Sequence, residues 1–255
     1  MAASHPATRQ IKTANVTHNE ALAPQNTLAS SPTLLLNWIS AYHKAIVANE
    51  HWLTELDSAI GDGDHGANMR RGVERIMEHR GDLKGADLST QLRMISGHLT
   101  ASVGGASGPL YGAFFLHASC VVSPHHETRI RNFATCLEAG LQGVVGLGHA
   151  IAGDKTMVDV LIPVVTAYKS IVRRHVSPAQ FFSETIQIAE AAMKSTISMQ
   201  ARKGRASYLG ARSIGHQDPG ATSMFLLMRT LAEAATKDPA FTVQTQKSTT
   251  RKLIP

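Results

Sequence analysis

The stretch DSAIGDGDHGANMRRG, Asp57 to Gly72, gathers three aspartates, one histidine and four glycines. Two carboxylates ~5 Å apart repel by roughly 3 kcal/mol at an effective dielectric of ~20. Three that converge need a cation or must spread into water. Asp62 and Asp64 stand two residues apart, which would separate them on a helix but lets both reach one centre from a turning backbone. Gly61, Gly63 and Gly66 permit such a backbone. Asp57 lies one to two helical turns upstream and can lean toward the same point. Three carboxylates without a thiol, beside His65, suit a hard cation and Mg²⁺ in particular. The regular ligand spacing and terminal Glu of an EF-hand are missing. Taken alone, the run reads equally well as a surface turn of small polar residues.

Three more stretches carry chemical potential. SVGGASGPL, Ser102 to Leu110, is a Gly/Ser loop opening into a helix at Pro109, where free amides would attract an anion. No Gly-Lys-Ser/Thr follows, so it is not a P-loop, and by itself it is an ordinary interhelical turn. GDKTMVD, Gly153 to Asp159, opens another helix, with Asp154 as its candidate N-cap and Met157 as a candidate wall for a nucleobase. By itself it is a plain cap and a core methionine. RKGRASYLGARSIGHQDPGATS is long, polar and basic, and loops of that length inside a domain usually serve function. Arg205 can grip a phosphate bidentately, and the helix after Asp218-Pro219-Gly220 offers more amides. Tyr208, Leu209 and Ile214 imply that this loop packs on something. Together the four stretches hold what phosphoryl transfer needs: positioning and charge neutralisation.

The elements that must position these loops read as helices. Ser31-Pro32 and Ser177-Pro178 each pair an N-cap residue with proline at the first helical position, and Asp218-Pro219 repeats the pattern. Val160, Leu161, Val164 and Tyr168 recur at helical spacing, as do Phe182, Ile186, Ala189, Met193 and Ile197. No run alternates apolar and polar residues, so the chain is expected to be all-α with about eight helices. Residues 1–29 and 238–255 read as flexible tails around one domain at 30–237.

Bulk properties narrow the function further. Apolar residues make up 43% of the chain and aromatics 5%, which favours packed helices over a β-sandwich. The net charge of +6 is scattered, with no dense basic run or interleaved aromatics, which argues against nucleic acid. Cys120 and Cys136 lack metal or disulfide spacing and read as reduced, buried residues of a cytoplasmic protein. No apolar run has transmembrane length, and the N-terminus lacks the apolar core of a secretory signal.

The motifs LDSAIGDGDHGANMRRG, SVGGASGPLYGAFF, GDKTMVDVLIPV and STISMQARKGRASYLGARSIGHQDPGATS follow one another in an order that resembles the nucleotide-binding L subunits of dihydroxyacetone kinases, over roughly residues 30–237. The resemblance implies an eight-helix antiparallel barrel with ADP or ATP and two Mg²⁺ at one end. It implies Asp57, Asp62 and Asp64 as metal ligands. His65 and Asn68 would lie at the nucleotide, with Ala106 and Ser107 of the glycine loop. Gly148 and Met157 would border the adenine, and Arg205, Asp218, Pro219 and Gly220 would complete the pocket. With His65, the three aspartates form the implied catalytic set. The ketose would sit on a separate K subunit, and ADP would be rephosphorylated in place by a phosphotransferase M subunit. A homodimer stays open. His149, Ile151, Ala211 and Gly63 depart from residues common in the family, and none of these belongs to the carboxylate trio. Three functions are therefore weighed: a ketose kinase subunit acting on dihydroxyacetone or a tetrulose such as erythrulose, an ADP-bound module contacting a transcription regulator, and, last, a metal-dependent phosphohydrolase.

Overall fold

Apolar residues at intervals of three and four, punctuated by Gly, Pro and Asp, fold into helices throughout the described part of the chain. The structure, a computed structural model, describes residues 32–122, 130–174 and 177–237. Among these, ten α-helices occur and no strand. They are α1 (Pro32–Ala48), α2 (Glu50–Ile60), α3 (His65–Glu78), α4 (Arg80–Lys84), α5 (Leu88–Ser102), α6 (Ser107–Val121), α7 (Ile130–Gly148), α8 (Val158–Arg174), α9 (Pro178–Ser195) and α10 (Pro219–Thr236). The chain is all-α, as its sequence indicates. The two helices beyond the expected eight arise from a break at Asn49, which separates α2 from α1, and from the single extra turn of α4. The expected tails, and Ser31, lie outside the described residues.

Helix starts follow local chemistry. The Ser177 hydroxyl accepts from the Gln180 amide at 3.3 Å, and the Asp218 carboxylate accepts from the Ala221 amide at 2.7 Å, each just before a proline. Asp154 does not cap α8. Its carboxylate instead accepts from the Ile151 amide at 2.9 Å within the preceding turn. The start of α8 belongs to Thr156 and Asp159. The Thr156 hydroxyl takes the Val158 amide, and the Asp159 carboxylate takes the Thr156 amide at 2.7 Å, in the reciprocal manner of a capping box. Helix α6 begins at Ser107, two residues before the expected Pro109. Helix α9 ends at Ser195, so Ile197 falls in a following 3₁₀ turn and is largely exposed instead of continuing the buried stripe.

Neighbouring helices close a ring: α1 packs on α3, then α5, α6, α7, α8, α9 and α10 follow in contact, and α10 returns to α1. Helix α2 lies against α3 and α10. The core contains Tyr42, Tyr111, Phe114, Phe115, Tyr168 and Phe181, all buried. Phe114 and Phe115 meet edge to face at 5.2 Å, as do Tyr168 and Phe181 at 4.5 Å. Helix α10 is buried along most of its length, from Pro219 to Ala235. The Trp38 indole donates to the Leu227 carbonyl at 2.9 Å and ties α1 to it. Cys120 is exposed and Cys136 half-buried, both as free thiols, so neither is the sealed core residue expected from the sequence.

Candidate metal and nucleotide site

The acidic run folds as the end of α2, a turn, and the start of α3. Gly63 adopts φ +76°, a conformation L side chains rarely take, and lets the chain reverse. The Asp57 carboxylate reaches across this turn and accepts the Asp64 and His65 amides through Oδ2, at 2.8 and 3.1 Å. A second oxygen of Asp57 remains, and one oxygen each from Asp57, Asp62 and Asp64 lies within 4.8 Å of the others. Among the described residues this is the one cluster of three or more metal-ligating side chains at such spacing. An all-carboxylate set of hard oxygens fits Mg²⁺. The repulsion among these carboxylates is relieved piecemeal. Asp57 faces the amides of α3, Asp62 pairs with Arg205, and Asp64 meets solvent.

These carboxylates stand at one side of a cavity of about 380 Å³. The residues that the resemblance implies for the metal and nucleotide line it: Asp57, Asp62, Asp64, His65 and Asn68 from the acidic turn, and Ala106 and Ser107 from the glycine loop. Gly148 ends α7 there, Met157 precedes α8, Arg205 comes from the basic loop, and Asp218, Pro219 and Gly220 open α10. The N-termini of α3, α6, α8 and α10 thus all face one space. Asp57, Thr156 and Asp218 each take one first-turn amide of α3, α8 and α10, and the remaining first-turn amides, with the roughly half positive charge at each helix start, favour an anion in the cavity. Leu110, Val144, Leu147 and Val158 supply an apolar wall that suits a planar base.

His65 is buried between two hydroxyls. Its Nε2 lies 2.9 Å from Ser223 Oγ and its Nδ1 3.4 Å from Ser107 Oγ. The Ser223 hydroxyl accepts from Tyr111 at 2.8 Å and donates to the Gly220 carbonyl at 3.1 Å. Ser223 Oγ thus joins His65 Nε2 to Tyr111 and to the Gly220 carbonyl, and both ring nitrogens of His65 have a hydroxyl partner. Burial lowers the His65 pKa, opposed by Asp57 and Asp64, so the ring is held neutral. Burial pushes the Asp218 carboxyl up to about 7, against the Ala221 amide and Lys155.

The basic segment is not an open loop. Residues Arg205–Ser213 form 3₁₀ turns, kinked at Gly210. Tyr208 and Ile214 are exposed, contrary to their expected packing, with Tyr208 88% accessible. The anchor is Lys155, which sequence reading passed over. It is 1% exposed, and its ammonium donates to the carbonyls of Met199, Ser213 and His216 at 3.1, 2.6 and 2.5 Å. Tyr111 and Ser223 were equally silent in sequence, because each sits mid-helix among core residues. Lys155 alone left a trace, as a cation within a glycine-aspartate turn.

The sequence model of the DAK2 domain matches residues 59–233. The chain belongs to the DAK2 domain family. This DAK2 chain is 42% identical over 208 residues to the ADP-binding subunit DhaL of PEP-dependent dihydroxyacetone kinase from Escherichia coli, covering 82% of this chain and 99% of that one. A more distant relative is the L-erythrulose 1-kinase of Mycolicibacterium smegmatis, 32% identical over 201 residues, 78% of this chain but 35% of that enzyme. The dihydroxyacetone kinase of C. freundii, solved with AMP-PNP and Mg²⁺, shares the fold at a TM-score of 0.62 and 24% identity, over 89% of this DAK2 chain and 38% of that one. No helix among the described residues is long and apolar enough to cross a membrane.

Proposed function

We propose that this DAK2 chain holds ADP or ATP with Mg²⁺ in the cavity and passes the γ-phosphoryl group to dihydroxyacetone carried by a separate K subunit. The observation that carries the reading is the meeting of three carboxylates and four helix N-termini at one cavity. Carboxylates alone would bind a cation, and amides alone an anion. A magnesium nucleotide is both. Asp57, Asp62 and Asp64 would hold two Mg²⁺, which when bound neutralise charge on the transferred phosphoryl group. The amides of Ala106, Ser107 and Gly220 would receive phosphate oxygens, and Arg205 would leave Asp62 to join them. His65, held by Ser223, presents its other ring nitrogen beside Ser107. Gly148 and Met157, with the apolar wall, would clasp the base. Asp218 caps α10 and keeps its amides aimed at the cavity.

The close similarity to a PEP-dependent DhaL along its full length supports dihydroxyacetone over erythrulose as the acceptor, and a phosphotransferase M subunit as the source of the phosphoryl group. On this reading the working unit spans residues 30–237, acts in the cytoplasm and needs neither nucleic acid nor membrane.

The test is nucleotide retention. The chain is purified with Mg²⁺, desalted, denatured, and the released nucleotide identified. Stoichiometric ADP is the expected result. Asp62→Asn should release none and should not support phosphorylation of dihydroxyacetone in the presence of K and M subunits. A parent chain that binds neither ADP nor ATP at millimolar Mg²⁺ removes the proposal.

A further inference from the structure

Lys155 is a buried ammonium with no carboxylate in hydrogen-bond contact, and its three acceptors are all main-chain carbonyls. A buried cation is expensive unless its donors are met. Here the three acceptors match the three N–H groups of the ammonium, so none is left for a phosphate, although Lys155 lines the cavity. That excludes the usual duty of a lysine at a nucleotide site. The placement of the acceptors shows another. Met199 lies before the basic segment, and Ser213 and His216 lie at its far end, while Lys203, Gly204, Arg205 and Ala206 between them form cavity wall. One side chain therefore fastens both ends of a span whose middle faces the ligand space. Lesser ties converge on the same clasp: the Arg202 amide donates to the Asp154 carbonyl at 3.1 Å, the Ala201 amide to Ser213 Oγ at 2.9 Å, and the Gly215 amide to the Ile197 carbonyl at 2.7 Å. Lys155 itself sits at φ +62°, a backbone conformation uncommon for residues other than glycine. That conformation persists because the clasp holds it.

We propose that Lys155 is the positioning residue that pins the 199–216 segment as a fixed wall of the nucleotide cavity and so delivers Arg205 to the phosphates. It acts through main-chain carbonyls and never touches the ligand. The proposal rests on the nucleotide reading above for its second half only. The first half, a wall fixed by the protein's own bonds, can be tested without a ligand.

The first measurement is hydrogen exchange on the nucleotide-free, full-length parent. The amides of Arg202 and Gly215 are expected to exchange at least 100-fold more slowly than in an unstructured chain. Unprotected rates there overturn the proposal, whatever the chain binds. The second is Lys155→Met, which keeps an unbranched apolar stem one atom shorter and removes the donors. It should speed exchange of those two amides at least tenfold while leaving amides of α5 unchanged, and should raise the ADP dissociation rate at least tenfold. The third is a double-mutant cycle. If Lys155 works through Arg205, then Lys155→Met made in Arg205→Ala should change ADP dissociation less than twofold. Multiplicative effects of the two substitutions refute the link to Arg205. If Lys155→Met does not fold, the exchange data on the parent still decide whether the wall is preset.

Discussion

Gly66→Ala gives a demanding test of how the acidic turn is built. Gly66 lies in the first turn of α3, pressed against α2. A Cβ there would sit 2.1 Å from the Glu50 carbonyl oxygen and 2.4 Å from Thr54 Oγ1. The threonine can rotate away, but the Glu50 carbonyl is helix backbone. To restore a tolerable separation α2 must retreat by about 1 Å, and overpacking of this kind costs about 1–3 kcal/mol. For a chain of this size each kcal/mol shifts Tm by ~2–4 °C, so a fall of roughly 2–12 °C is expected. Function should suffer more. Helix α2 carries Asp57 and α3 carries His65 and Asn68, so the retreat stretches the Asp57 bonds to the Asp64 and His65 amides and spreads the carboxylates. Misplacement by ~1 Å at a reacting centre can lower a rate ~100-fold. The assays are thermal melting and titration of ADP at fixed Mg²⁺. Gly97→Ala is the control. It lies mid-helix in α5 with open space around its Cβ and should gain about 1 kcal/mol without touching ADP affinity. If Gly66→Ala melts with the parent and binds ADP within twofold of it, the α2–α3 contact does not set the geometry of the trio.

Other expectations follow from the same geometry. Asp218 has a native pKa of about 7, above its unfolded value of ~3.9, so its contribution to stability is complete below pH ~4 and is lost as pH rises through 7. Asp218→Asn keeps an N-cap, and its Tm relative to the parent should climb between pH 5 and 8; a constant difference refutes this. Arg205→Ala should barely change the Tm of the metal-free chain, since the Arg205 side chain is 62% exposed and such pairs contribute ~0–1 kcal/mol, yet should weaken ADP binding at least tenfold by equilibrium titration. Phe115→Ala empties a wholly buried site against Trp38 and Phe114 and should cost about 3–5 kcal/mol in denaturant unfolding.

Helices and loops were legible because glycine, proline and capping residues punctuate the chain where helices start and stop. The acidic turn was legible as a glycine-permitted reversal that brings Asp57, Asp62 and Asp64 within 4.8 Å of one another, although the run alone reads equally well as a surface turn of small polar residues. What could not be read is how main-chain atoms serve the site. Lys155 looks like one more surface cation in sequence, and only the fold brings three carbonyls from the 199–216 segment to its ammonium. Tyr208 and Ile214 misled for a related reason. The segment is fastened through backbone and Ser213, so its apolar side chains are free to point outward. Tyr111 and Ser223 sit in helical stripes that look purely apolar, and their hydroxyls meet His65 because α3, α6 and α10 converge. Asp154 and Asp159 both lie beside the start of α8, and spacing alone does not tell which one caps it.

The pairing of Arg205 with Asp62 has a consequence for the order in which ligands arrive. A bare divalent ion that takes up Asp62 would release the guanidinium to water. A nucleotide that brings its own ion offers that guanidinium a phosphate in exchange. On the proposed reading, then, ion and nucleotide assist each other by swapping counter-ions. The resulting bias toward an ion that arrives with its nucleotide is modest, because an exposed pair of this kind contributes ~0–1 kcal/mol.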